Sequence, residues 1–271
     1  MRLRGETREV SPAGYDAWRG RPASAPEQRR DTLLVEIRAV HAEVTARYGS
    51  PRSHAERRAR GQSCCLNTVA RLMRENGIAA KTVRKFRRTT DSNHDRPVAD
   101  NLLDRQFDAA SPHAAWVADI TYSPTREGWL YGAAVEDLYS RRVVGWSMAD
   151  HLESRLVGAA LALAVARRRP GEGLLAHSDR GSQYARDPYQ RLLARHGITW
   201  SMSRGADGWD NAPMESFCAS LKKALVDDAD FTTRAEARAA IVEYIEVFYN
   251  SKRRHSSLGY VSPAEDEQKN R

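Results

Sequence analysis

The 271 residues exceed the usual size of one compact domain, and 41% hydrophobic content suffices for real cores, so one catalytic domain with a smaller appendage is expected. The net charge of +8 is unevenly placed: residues 1–112 carry 22 Lys/Arg against 14 Asp/Glu, whereas residues 113–271 carry 21 of each. The opening Met-Arg-Leu-Arg-Gly-Glu-Thr lacks the apolar core of a secretory signal, and the longest apolar run, Leu156–Ala166, is too short to span a bilayer. Cys64, Cys65 and Cys218 form no Cys-x-x-Cys pair, which points to a reduced, cytoplasmic compartment.

Residues 1–30, with Pro12, Pro22 and Pro26, read as an N-terminal segment in which Ser11-Pro12 opens a short capped helix before a linker. From Asp31, a plausible N-cap, Leu33, Leu34, Ile37, Val40 and Val44 recur at helical spacing, and Gly49 stands as the stop. Ser53–Arg60 and Cys64–Asn76 then read as two short helices across a tight turn at Gly61, with Gly77 as terminator. Together, residues 31–88 form a helix-turn-helix candidate. Its second helix packs through Leu66, Val69, Leu72 and Met73 and presents Asn67, Thr68, Arg71 and Arg74 outward, where they can read base edges or hold phosphates. The window Thr45–Thr90 holds 12 basic and 2 acidic residues, a footprint suited to a polyphosphate such as double-stranded DNA. A solvated basic surface and a plain helical hairpin are the simpler alternatives; a membrane partner lacks any lipidation signal or apolar anchor. Residues 89–112 read as a linker.

From residue 113 to 271 the pattern turns to strands alternating with helices. Trp116–Tyr122, Leu130–Val135 and Arg142–Ala149 are β-prone and closely spaced, favouring an antiparallel meander. A helix over 153–168, a strand ending at His177-Ser178-Asp179, a helix through 189–195, a strand over 198–202 and helices over 211–226 and 233–249 follow. The expected class is α/β: a ribonuclease H-like core, a mixed five-stranded sheet with flanking helices, behind a small all-α domain.

Three acids lie on three different elements of this core. Asp119 sits mid-strand, where aspartate is disfavoured; Asp179 lies at a strand's carboxyl end; Glu215 falls in the first turn of the helix opening at Asn211-Ala212-Pro213. Each has an innocent explanation in turn: edge exposure, a cap or turn, and attraction to the helix dipole. Their conjunction is what a two-metal phosphoryl-transfer site needs, because two hard cations about 4 Å apart require carboxylates converging from separate places. Lys222, seven residues past Glu215 and about two turns along the same face, can hold a phosphate of the bound strand. His177 and His255 have no partners at zinc-finger spacing, so no zinc is expected. Lys252, Arg253 and Arg254 grip DNA or simply charge a helix end.

The stretches Trp-Val-Ala-Asp-Ile-Thr-Tyr (116–122), His-Ser-Asp-Arg-Gly-Ser-Gln-Tyr (177–184), Trp-Asp-Asn-Ala-Pro-Met-Glu-Ser-Phe (209–217) and Tyr-Asn-Ser-Lys-Arg-Arg-His-Ser-Ser-Leu-Gly-Tyr-Val-Ser-Pro (249–263) resemble the second-frame transposases of the insertion-sequence-three family, relatives of retroviral integrases. Upstream, Tyr-Gly-Ser-Pro-Arg (48–52, with Arg52) and Val-Ala-Arg-Leu-Met-Arg-Glu-Asn-Gly (69–77) are similar to that family's helix-turn-helix. The resemblance implies a triad of Asp119, Asp179 and Glu215, the last two separated by 35 residues, holding two Mg2+, with Mn2+ as a substitute, and Lys222 in the basic position after the glutamate. It implies cleavage and strand transfer at element ends, a homo-oligomer on terminal-repeat and target DNA, and the upstream-frame protein or a frameshift fusion as partner. Glu136, where relatives usually carry an apolar residue, and the loop Gly205–Gly208 depart from the pattern. A catalytically inactive DNA-binding regulator and a ribonuclease H-type nuclease are the rival functions.

Overall fold

The computed structural model describes residues 11–81, 98–204, 208–227 and 229–270, and the chain divides into two compact units between Ala80 and Lys81. The expectations for the first ten residues, for 82–97 and for the loop 205–207 fall outside the described residues.

The first unit is helical. Helix α1 (Pro12–Arg19) begins as expected, the Ser11 hydroxyl accepting the Gly14 amide at 3.1 Å. Helix α2 (Ala25–Glu43) starts earlier than Asp31. The reason is a cap overlooked in the sequence: the Glu27 carboxylate accepts from both the amide and the hydroxyl of Ser24 at 2.7 Å, with Pro26 in the first turn. Its end also differs, because Thr45 and Ala46 turn the chain through the left-handed region at φ 52° and 59°. Gly49, expected to stop α2, instead opens α3 (Ser50–Ala59) as its N-cap. Helix α4 (Leu66–Glu75) buries Val69, Leu72 and Met73, which pack with Ile37 of α2 into one small core. Arg57 of α3 is buried with them, donating to Glu36 and, at 2.7 Å, to the Cys64 sulfur.

The second unit is the mixed five-stranded sheet with flanking helices that the sequence implied. Strands β1 (Ala115–Thr125), β2 (Gly128–Asp137) and β3 (Arg142–Ala149) form the antiparallel meander. Strands β4 (Leu175–Ser178) and β5 (Thr199–Met202) add in parallel beside β1, giving the order β3-β2-β1-β4-β5 of a ribonuclease H-like core. Helices α5 (Ser154–Arg168) and α6 (Asp187–Arg195) supply Leu156, Leu161, Tyr189 and Leu193 to a core with Trp116, Ala118 and Val135 from the sheet. Gly145 makes that packing possible: a Cβ there would fall 2.2 Å from the Ala160 carbonyl oxygen, so α5 sits directly on β3.

Helix α7 (Ala212–Leu221) lies against β1 and α8 (Arg234–Glu243) against β2. Both continue as π-helical turns, over Lys222–Val226 and Tyr244–Tyr249. A last helix, α9 (Pro263–Lys269), was not foreseen; its buried Glu267 accepts from Ser140 at 2.9 Å, from Arg142 at 2.7 Å and from Arg168, tying the C-terminal segment to β3 and α5. Residues 98–108 pack on the second unit rather than running free: Leu103 is buried, and the Leu102 and Leu103 amides donate to Ser201 Oγ at 3.0 and 3.3 Å. Among the described residues no helix is long and apolar enough to cross a membrane.

Candidate active site

The pairing of β1 with β4 sets the site. The last rung joins Ala118 to Ser178, so Asp119 and Asp179 come next on adjoining strands whose spacing is about 4.8 Å. Strand β1 runs on past the end of β4, holding Asp119 in regular pairing opposite Ala134. The chain turns away at Asp179, whose Oδ1 accepts the Gly181 amide at 2.9 Å, an arrangement short acidic side chains favour in tight turns. Asp119 Oδ1 accepts the Ile120 amide at 2.7 Å.

The third acid arrives on α7. Asn211, buried at the helix start, donates through Nδ2 to the Ala118 carbonyl at 3.1 Å and so fastens α7 beside Asp119. Two turns further, the Cys218 thiol lies 3.9 Å from Asp119 Oδ2. Burial pushes that thiol well above its usual range, which keeps it protonated and able to donate. Glu215 stands in the first turn, exposed, three residues before Cys218 and thus on the same helix face. Lys222 places its ammonium 4.4 Å from the centre of the Tyr122 ring, a cation–π contact.

Asp119 registers this company. Its carboxyl is pushed up to about 8, first by burial, then by the charge of Asp179 and also by that of Glu215; the Ile120 amide and Lys222 pull the other way. Asp179, Glu215 and Lys222 therefore lie within electrostatic reach of Asp119. Among the described residues, however, no three His, Cys, Asp or Glu side chains are already closed around a metal position. The chemistry of the donor set nevertheless fits hard divalent cations: oxygen ligands only, and a surplus of negative charge that raises Asp119 until something positive relieves it.

The buried residues around this centre divide the other candidates. His177, 1% exposed, is hydrogen-bonded to Ser201 Oγ at 2.8 Å and Ser203 Oγ at 3.2 Å, and burial lowers it to about 4, so it is a neutral strut. Asp210 is wholly buried. It accepts from Arg204 Nη2 at 2.8 Å, Arg105 Nε at 2.7 Å and Asn101 Nδ2 at 2.9 Å, and Arg204 first, then Arg105, hold it below the usual carboxylate range. Sequence reading passed over Asp210 and Cys218, although Cys218 could have been found from its spacing to Glu215.

The basic candidates separate too. Asn67, Arg71 and Arg74 are exposed on α4 and Thr68 and Arg52 half-buried. Lys252 is exposed, but Arg253 is buried, donating to Ser220 Oγ at 2.8 Å over the face of Tyr249, and Arg254 pairs with Glu265 at 2.9 Å. Neither arginine stands out from the surface as the terminal basic run suggested.

Comparison with known proteins converges on one set. Two models of an integrase core domain match residues 109–207 and 196–263, and a model of an HTH-like domain matches residues 28–86. A 31 kDa protein of insertion element IS600 from Shigella sonnei is 43% identical over 94% of this chain and 94% of its own length. Transposase InsF of insertion sequence IS3A from Escherichia coli K12 is 40% identical over 96% of this chain and 91% of its own. The transposase of element IS904 from Lactococcus lactis is 40% identical over 92% and 99%.

Proposed function

The chain belongs to the family of insertion-sequence transposases that includes IS3 InsF, and within that family we propose that Asp119, Asp179 and Glu215 are its catalytic triad. Membership makes it a DNA transposase, a polynucleotidyl transferase with an integrase core and a DNA-binding helical domain that uses divalent metal. The observation that carries the residue assignment is the placement of two aspartates one step beyond the last β1–β4 rung, with α7 bringing Glu215 into electrostatic reach.

In this reading the three carboxylates hold two Mg2+, or Mn2+ in their place. When bound, these ions supply Lewis acidity at the scissile phosphate and favour the deprotonated nucleophile. Asp119 and Asp179 define the fixed part of the cradle, because both are set by sheet register; Glu215 completes it from the first turn of α7. Lys222 steadies a phosphate of the bound strand, the Cys218 thiol orients Asp119 by donating to Oδ2, and His177 remains neutral and ties β4 to the end of β5. Water hydrolyses a phosphodiester at an element end, and the freed 3′ hydroxyl attacks a phosphodiester of a second strand and displaces that strand's own 3′ oxygen, so no protein nucleophile is consumed. Asn67, Thr68, Arg71, Arg74 and Arg52 engage terminal-repeat DNA, with Lys252 adding a phosphate contact from the catalytic unit. A homo-oligomer assembled on DNA in the cytoplasm, aided by the upstream-frame protein or a fusion with it, completes the proposal.

The test is strand transfer on duplexes carrying the terminal repeats that flank the coding DNA, with Mg2+, comparing the parent with Asp179→Asn. Abolished transfer with intact DNA binding supports the triad; equal activity removes it.

A further inference from the structure

Trp209 is 74% exposed, more than any other large hydrophobic side chain among the described residues. A large aromatic exposed to that extent forgoes most of the gain of burial, and the residues that follow it are held in place. It sits in a 3-10 turn, Gly208–Asn211, whose next two residues are 0% and 4% exposed. Asp210 is clamped by Arg105, Arg204 and Asn101, and Asn211 is bonded to the carbonyl that precedes Asp119. The polypeptide is thus fastened on the very residues that follow the indole, while the indole itself projects outward at the head of α7, six residues before Glu215.

We propose that Trp209 is a base-contacting residue: its ring stacks on a nucleobase unpaired from the duplex next to the scissile phosphate and holds that DNA end in place during cleavage and strand transfer. The class of ligand follows from chemistry already in hand. The substrate is DNA, whose flat apolar surface is its bases, and an exposed aromatic accepts any base because each offers a π-face. The proposal rests on the catalytic assignment above, because it places the scissile phosphate at the carboxylates beside this turn.

The test crosses protein and DNA changes. Strand transfer is measured for the parent, Trp209→Ala and Trp209→Phe on terminal-repeat duplexes, and again on duplexes in which each nucleotide around the scissile phosphate is made abasic in turn. Trp209→Ala is expected to lose about tenfold or more on intact DNA, in line with the usual strength of base–aromatic stacking, and Trp209→Phe to keep most of the activity. At one abasic position the parent and Trp209→Ala should become equal, since there is no base left to hold. A purely structural role, or a contact with a second protein copy, predicts the same loss on intact and abasic DNA, and that result overturns the proposal, as does undiminished activity of Trp209→Ala. Asp179→Asn is run alongside: if it is as active as the parent the catalytic assignment itself fails, whereas an inactive Asp179→Asn beside an unimpaired Trp209→Ala removes only the stacking role.

Discussion

Asp210 and Asp119 lie close in the fold and carry the same side chain, yet their surroundings pull in opposite directions. Asp210 is met by two guanidinium groups and an amide, and its carboxyl is held below the usual range. Asp119 is pushed up to about 8, first by burial and then by two further carboxylates, with one lysine at their margin. The first is an acid whose electrostatic needs the chain has satisfied, and it serves the architecture. The second is an acid that the chain gives two donors but no matching countercharge, which makes sense for a group that must receive a charged ligand.

The sharpest attempt to break this contrast is Asp119→Asn. Strand transfer is expected to fall by about 1,000-fold or more, roughly 4 kcal/mol, in a gel assay. The same variant should melt a few degrees higher than the parent in metal-free buffer at pH 7, because an amide has no ionisation to give up on burial beside two carboxylates; a lower melting temperature would mean Asp119 is a structural acid like Asp210. Asp210→Ala is the mirror experiment, expected to cost about 2 kcal/mol in denaturant melts, since the half-exposed guanidinium groups of Arg105 and Arg204 can recover water. Mg2+ should raise the melting temperature of the parent and of Asp210→Ala but not of Asp119→Asn, with a chelator reversing the gain.

Glu136 tests the rule away from the site. It is 1% exposed, its Oε2 accepts the Tyr249 hydroxyl at 3.0 Å, and burial pushes it up to about 8 despite Arg141. The unfolded chain releases this proton near the ordinary glutamate value and the folded chain near 8, so stability is lost as pH rises between them. Glu136→Gln is therefore expected to melt roughly 3 °C above the parent at pH 9, with the gap closing toward pH 5. The smallest effect is expected in the helical unit. Arg71→Ala should weaken DNA binding evenly across sequences and lower the salt slope by about one, as loss of a single phosphate contact would.

How much of this was readable beforehand depended on whether the cause was local. Strands β1, β2 and β3 are written in β-branched and aromatic runs, and Asp119 stood out because a strand centre disfavours it. The start of α2 was misread because Asp31 resembles a cap, whereas Ser24 and Glu27 make the stronger one. The fate of the basic residues was not readable. Arg253 looks like its neighbour Lys252 in the sequence, and only the fold sets Ser220 and Tyr249 against it. The same holds for Asp210, whose partners Arg105 and Asn101 come from a stretch that read as a linker, and for Trp209, which is followed by residues anchored from three segments.

The rung between Ala118 and Ser178 has an evolutionary corollary. Because side chains alternate along a strand, inserting one residue within β4 would swing Asp179 to the opposite face of the sheet, whereas lengthening the connection between α5 and β4 would leave both aspartates where they are. Descendants of this chain can drift freely in the stretches that join its strands, but their inherited reading frame of hydrogen bonds must stay fixed to the residue.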